Sequence, residues 1–126
     1  MKLLLDTRIL LWWLDDNPLL PQEARALIRE PDNTIFVSAI SLCEIWLKHS
    51  LGKLRLPANF QDRLAGEGFE NLPLTGSQTV RLGQLAWIHH DPFDRMLVAQ
   101  AQCANLVLLT ADDALAGYGP PVHVAR

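Results

Sequence analysis

The sequence predicts an α/β domain, a three-layer α/β/α sandwich around a mainly parallel central sheet. Three observations carry this. Short apolar runs alternate with segments of helical periodicity along the chain. The clearest runs, Leu3-Leu4-Leu5 and Leu106 to Leu109, are apolar at every position rather than every second one. At 126 residues and 49% hydrophobic content, the chain also has enough apolar material for one well-packed core. A strand that is apolar on both sides is covered on both sides, as in a parallel sheet between two helical layers. A single domain over residues 1–126 is expected, because no linker, repeat or low-complexity tract divides the sequence.

Taken in order, Lys2 to Asp6 reads as a buried strand, and Thr7 is the expected N-cap of a helix from about Arg8 to Leu14. Pro21 opens a second helix, in which Ala24, Leu27 and Ile28 recur at helical spacing through Arg29. Pro31-Asp32-Asn33 breaks the chain before a β-rich run, Thr34 to Ser38. From Ala39 to Leu51, Ile40, Cys43, Leu47 and Leu51 fall on one helical stripe, the expected core-facing side, and Gly52 is placed as a C-terminal cap. Asn59 to Leu64 and Ser77 to Trp87 read as helices on either side of a weak strand near Phe69 to Leu72. Asp91-Pro92-Phe93-Asp94 combines a capping acid, a proline at the first helical position and an acid in the first turn, so a helix should start there and run to about Ala104. Leu106 to Leu109 is an aliphatic strand, Thr110 to Leu115 a turn entering a short helix, and Val122 to Val124 a final edge strand.

Composition excludes several classes. The longest uncharged apolar runs, such as Ile9 to Leu14, fall far short of the ~20 residues that a membrane-spanning helix needs. Asp6 and Arg8 interrupt the apolar start before a signal-peptide core could form. Cys43 and Cys103 lie far apart without a C-x-x-C pair, so neither a zinc site nor a disulfide framework is signalled, and both are expected as reduced core residues of a cytoplasmic protein. The net charge of −3 argues against nucleic-acid binding by overall basicity. One divalent ion among the acids would bring the sum to −1 and two would bring it to +1, so attraction to phosphates must be local.

In parallel α/β sheets, ligands bind beyond the carboxyl ends of the strands. Four acids are expected there. Asp6 ends the first strand, Asp112 lies just past the fourth, Glu44 sits about a turn and a half into the helix after the second, and Asp94 lies in the first turn of the helix starting at Pro92. Taken singly, each has an ordinary explanation. Asp94 stabilises a helix start, Glu44 can pair with Lys48 at i, i+4, Asp112 can cap a helix, and Asp6 can be satisfied by Arg8 or a turn. Recurrence at equivalent topological places favours one shared site. Carboxylates brought together raise one another's pKa unless a cation compensates them. A hard divalent ion, Mg²⁺ or Mn²⁺, is the natural candidate for an all-oxygen donor set.

These motifs together resemble the PIN-domain nucleases, specifically the VapC-type ribonuclease toxins of bacterial toxin–antitoxin modules. The likeness spans nearly the whole chain. Leu3-Leu4-Leu5-Asp6-Thr7 with Leu10-Leu11-Trp12-Trp13 is similar to the family's opening motif, and Ser38 to Ile45 to its second. His89-His90-Asp91-Pro92-Phe93-Asp94-Arg95-Met96-Leu97-Val98-Ala99-Gln100-Ala101 matches its aspartate helix, and Leu109-Thr110-Ala111-Asp112 the T-x-D that closes the site. The resemblance implies a Mg²⁺-dependent endoribonuclease, with Mn²⁺ as a substitute, that leaves a 5′-phosphate and a 3′-hydroxyl. It implies Asp6 and Asp94 as direct metal ligands, Glu44 and Asp112 as ligands directly or through water, and Thr110 as the residue that orients the cluster. It also implies two partners besides RNA: a second copy of the chain, and an antitoxin whose segment covers the crevice. One departure is Arg8, where many relatives carry His; it can contact a scissile phosphate or pair with a nearby acid. No histidine is placed as a general base, and His89 and His90 read as loop residues rather than ligands.

Lys48, His49, Lys53 and Arg55 form the densest basic segment and could guide an RNA backbone, or simply be a solvated helix end. Trp12, Trp13 and Trp46 adjoin the acidic motifs, where core packing or an interface competes with base stacking. The rival readings are a non-catalytic PIN-like interaction module, a phosphate-accepting receiver and a D-x-D phosphatase. A receiver wants an acidic pair after the first strand and a D-x-D phosphatase wants an acid at position 8, whereas this chain has Thr7 and Arg8 there. A degenerate module is expected to have lost an acid, and none is missing.

Overall fold

The structure is a computed structural model that describes residues 1–126. Five strands, β1 (Lys2–Leu5), β2 (Thr34–Ser38), β3 (Glu70–Leu72), β4 (Val107–Thr110) and β5 (Val122–Val124), form one sheet in the order β3-β2-β1-β4-β5. Every neighbouring pair is parallel. The sheet is therefore wholly rather than mainly parallel, and the weakly signalled third and fifth strands are its two edges.

β1 lies at the centre, with strands on both edges and helices on both faces, which is why Leu3, Leu4 and Leu5 are all fully buried. Successive side chains of a strand point to opposite faces. Leu3 and Leu5 accordingly join Ile9, Leu10 and Leu14 of α1 (Thr7–Leu14) and Ala24 and Ile28 of α2 (Gln22–Arg29) in one core cluster. Leu4 joins Leu97, Val98 and Ala101 of α6 (Pro92–Ala104), and Leu115 of a 3₁₀ turn (Asp113–Tyr118), in the other. Three further helices complete the layers: α3 (Ala39–Ser50), α4 (Phe60–Gly66) and α5 (Gly76–Gln84), the last packed against α6.

A buried polar chain pins the second cluster to the sheet. The Ser38 hydroxyl bonds Gln100 Oε1, and Gln100 Nε2 donates to Gln78 Oε1 at 3.1 Å. Ser38 Oγ also accepts from the Ile40 backbone N–H at 2.9 Å, capping α3. Burying three polar side chains costs little when each is satisfied in this way.

Several expectations are corrected. Helix α1 is capped by Asp6 rather than Thr7: Asp6 Oδ1 accepts from Ile9 N at 2.8 Å, and Thr7 is already helical. The stripe Ile40, Cys43, Leu47 and Leu51 does not face the core. Only Ile40 is buried, together with Ser41, Glu44 and Ile45, while Leu47 and Leu51 are 47% and 60% exposed. The reason is positional. β2 runs directly into α3 with no loop, and the Ser38 cap and a Thr7–Ser41 hydroxyl bond of 3.0 Å fix the helix's rotation. Cys43 and Cys103 are both exposed, not core residues. The fifth helix starts at Gly76 behind a Thr75–Gln78 capping box and stops at Gln84, short of Trp87. The fourth strand starts one residue late, because Asn105 takes a left-handed C-cap conformation and Leu106 N still bonds Ala101 O. Gly52 does follow the end of α3 with φ +72°, as a capping glycine should.

This rotation of α3 is open to measurement. Ile45→Ala should cost about 2–5 kcal/mol in urea unfolding, because it opens a cavity in a fully buried site. Leu47→Ala should stay within about 0.5 kcal/mol. Equal losses at the two positions would contradict this assignment of the buried face.

Candidate metal centre at the carboxyl edge of the sheet

β1 and β4 are adjacent parallel strands, so their carboxyl ends emerge side by side. Asp6 follows β1 directly, and its backbone N–H donates to Leu109 O at 3.0 Å, extending the ladder by one bond. Its side chain is buried and doubly bound: Oδ1 takes the Ile9 N–H, and Oδ2 accepts from the Thr110 hydroxyl at 2.5 Å. Thr110 ends β4 and is fully buried. Its Oγ1 in turn accepts from Asp112 N at 3.0 Å, which sets the turn that delivers Asp112. Asp112 Oδ1 caps the 3₁₀ turn through Ala114 N at 2.9 Å, leaving Oδ2 free of backbone partners.

Asp94 is placed by the start of α6. Asp91 Oδ1 accepts from Phe93 N at 2.8 Å and Asp94 N at 3.1 Å, and Pro92 occupies the first turn. Glu44 comes from the buried face of α3. Asp6, Glu44, Asp94 and Asp112 all line one cleft of about 390 Å³, together with Arg8, Lys48, Lys53 and Asp91. Thr110 stands behind it, bonded to Asp6. The seven cleft residues singled out from the sequence are thus brought to one place.

The electrostatics are those of an undercompensated anionic site. Burial pushes the Asp6 carboxyl up from 3.8 to about 6; Asp94 adds to the rise, while the bonds from Thr110 and Ile9 N and the charge of Arg8 oppose it. Burial and then the charge of Asp91 also raise Asp94, with His89 pulling the other way. Of the four acids only Glu44 pairs with a lysine: Lys48 Nζ lies 2.5 Å from Oε2. Glu44 Oε1 is buried with no hydrogen-bond partner. Arg8 forms no ion pair with any acid, and its guanidinium lies 5.7 Å from the Trp12 ring centroid, so the pairing alternative for this residue is not realised.

Sequence reasoning set His89 aside as a loop residue rather than a ligand. It is a loop residue, as expected, yet its Nε2 lies 3.1 Å from Asp94 Oδ2 and 3.9 Å from Asp112 Oδ2. Donor atoms of His89, Asp94 and Asp112 all fall within 4.8 Å of one another, and this grouping stops short of Asp6 and Glu44. The one available signal was adjacency to the Asp91-Pro92 helix start, which does not say where a loop side chain points. Asp91, read only as a cap, also lines the cleft. A divalent ion suits this donor set: the donors are mostly hard oxygens, one buried carboxylate oxygen has no partner, and another carboxyl is driven up by desolvation.

The fold and site define a parallel α/β domain built around an acidic cleft at its sheet edge. Residues 3–119 match the model of the PIN domain, and the chain belongs to that family. Comparison with curated protein sequences gave no significant match. Among solved structures, the chain is similar to VapBC2 from Rickettsia felis bound to a DNA fragment from its promoter, at 18% identity and TM-score 0.72 over 100% of both chains. It is similar to a toxin–antitoxin complex from Klebsiella pneumoniae at 25% identity and TM-score 0.65, covering 96% of this chain and 95% of that one. It is also similar to VapBC-5 from Mycobacterium tuberculosis, at 20% identity and TM-score 0.63 over 99% and 98%. No helix is long and apolar enough to cross a membrane.

The raised Asp6 carboxyl sets a pH dependence. Between pH 3.8 and about 6 the unfolded chain releases this proton before the folded one does, so the metal-free protein loses stability as pH rises through that window. The full effect, present above about pH 6, is on the order of 3 kcal/mol. Asp6→Asn keeps a capping oxygen and removes the charge. In urea titrations without divalent ions it should exceed wild-type stability at pH 7.5, with the gain shrinking toward pH 4. A variant equally weakened at both pH values would show that the ionised carboxylate is not a burden on the fold.

Proposed function

We propose that this protein is a metal-dependent endoribonuclease and the VapC-type toxin of a toxin–antitoxin pair, acting on RNA in the cytoplasm. The observation that carries the reading is the undercompensated set of carboxylates on one cleft, Asp6 and Glu44 buried and Asp94 and Asp112 half-buried, with a Glu44 oxygen left without a partner. Family membership and the toxin–antitoxin complexes among the structural neighbours support it.

In this reading Asp6 and Asp94 hold Mg²⁺, or Mn²⁺ in its place, and Glu44 and Asp112 bind it directly or through water. Held there, the ion would supply Lewis acidity toward a phosphodiester oxygen and a lowered pKa for bound water, and the products of this class of hydrolysis would be a 5′-phosphate and a 3′-hydroxyl. Thr110 holds one Asp6 oxygen by its hydroxyl, so the carboxylate cannot rotate away from the cleft. Arg8 and Lys53, both exposed and free of ion pairs, meet the phosphates that flank the scissile bond, with Lys48 beside Glu44 as a third cation. Since net charge is negative, this local positive rim is what draws a polyanion to an acidic cleft. The exposed Trp46, Leu47 and Leu51 of α3 offer apolar area to a second copy of the chain or to the antitoxin, whose segment would close the crevice.

The purified protein should cleave end-labelled single-stranded or loop RNA with Mg²⁺ or Mn²⁺ and not with EDTA. Asp6→Asn and Asp94→Asn should reduce cleavage to background while circular dichroism and thermal melting show a folded chain. Thr110→Val, which leaves every acid in place, should lose ~10–100-fold in metal affinity or activity. Cleavage that persists in EDTA, or full activity in both aspartate variants, would refute this function. A folded chain inert toward RNA under all conditions would favour a PIN-like interaction module without catalysis.

A further inference from the structure

We propose that His89 is a nitrogen ligand of the divalent ion, binding through Nε2 beside Asp94 and Asp112, and that it biases the centre toward Mn²⁺ over Mg²⁺. This rests on the metal-dependent reading above and adds a ligand of a different chemical class to an otherwise all-carboxylate set.

Geometry supports it first. Ligand atoms ~2.1 Å from an octahedral ion stand roughly 3.0 Å apart when adjacent and about 4.2 Å when opposite. His89 Nε2, hydrogen-bonded to Asp94 Oδ2 at 3.1 Å, lies 3.9 Å from Asp112 Oδ2, close to the adjacent and the opposite spacing respectively. Asp6 and Glu44 fall outside the same close grouping, so the tightest set of donors in the cleft contains the imidazole.

The second support is how the loop is held. Arg95 follows Asp94 on α6 and is buried without a carboxylate partner. Its guanidinium donates instead to Ala86 O at 2.9 Å and Tyr118 Oη at 3.1 Å, and it lies 3.9 Å from the centroid of the Trp87 ring. Tyr118 Oη donates to Ala86 O at 3.1 Å and accepts from His89 N at 3.2 Å. The segment carrying His89 is therefore clamped to the helix that carries Asp94. The bond to Tyr118 is made by the His89 backbone N–H, so it fixes the point from which the imidazole reaches Asp94 and Asp112. Imidazole binds borderline transition ions in preference to Mg²⁺, which favours oxygen donors and water.

The test uses the full chain loaded with Mn²⁺. Pulsed electron paramagnetic resonance should show modulation from a directly bound imidazole nitrogen in the wild type, and His89→Ala and His89→Asn should lose it. By calorimetry, both variants should bind Mn²⁺ about tenfold more weakly and Mg²⁺ within about twofold of wild type. Bound Mn²⁺ without nitrogen modulation in the wild type would overturn the assignment and leave the carboxylate site standing. Modulation that survives in both variants would overturn it equally. Absence of any Mn²⁺ binding by the wild type would bring down the metal-dependent reading and this inference together.

Discussion

The Thr110 hydroxyl donating to the buried Asp6 carboxylate is the contact on which the remaining architecture of the site turns. It joins the ends of the two central strands, residues far apart in sequence, at the point where both leave the sheet. Asp6 in turn caps α1, so one carboxylate fixes where β1 stops and how the next helix departs. Thr110 receives the Asp112 N–H on the same oxygen and thereby orients the final turn. Burial raises this carboxyl to about 6, so it ionises less readily than an exposed aspartate. The fold thus keeps an acidic group in a poorly solvated place, where its hydrogen bonds to Ile9 N and Thr110 offset only part of the desolvation.

Parallel topology explains why the acids meet at all. With strand order β3-β2-β1-β4-β5, the chain moves outward from β1 first in one direction and then in the other. The connections leaving β1 and β4 diverge to opposite faces, which opens a crevice between them. Two of the acids sit at helix N-terminal regions, Asp6 as the cap of α1 and Asp94 in the first turn of α6. Positive helix ends offset part of the mutual repulsion there, by about 0.3–1 kcal/mol each at exposed sites. That is too small to neutralise four carboxylates, and a bound cation would do what the helix ends cannot.

Features that look anomalous by packing rules cluster around this crevice or on surfaces next to it. Glu44 Oε1 has no partner, Arg95 is buried against carbonyls and an indole, and α3 turns Leu47 and Leu51 outward. Away from function, local preference and global fold agree, and departures concentrate where a site or an interface has its own demands. The α3 case is informative. Its apolar stripe follows helical periodicity faithfully, yet the helix inserts the stripe that carries Ser41, Glu44 and Ile45.

The all-apolar runs at Leu3–Leu5 and Leu106–Leu109 made a covered parallel sheet legible from sequence alone, since such strands cannot tolerate a wet face. Asp91-Pro92 placed the start of α6 to the residue, because a capping acid and a fixed proline φ are local causes with local effects. Asp6, Asp94, Asp112 and Thr110 were placed for a related reason, since strand ends and helix starts are determined locally, whereas Glu44, in the middle of α3, faces the cleft only through the rotation of that helix. What periodicity could not decide was which of two apolar faces α3 would bury, whether Cys43 and Cys103 lie inside, or where the loop before α6 aims His89. Each of these depends on contacts between residues distant in sequence, through the Ser38 cap with the Thr7–Ser41 bond and the Arg95–Tyr118–Ala86 clamp. The sequence by itself determined the order of strands and helices, the start of α6 and where along the chain the acids fall. Only tertiary packing decided the rotation of helices and the direction of loop side chains, because those are set by neighbours that no local pattern names.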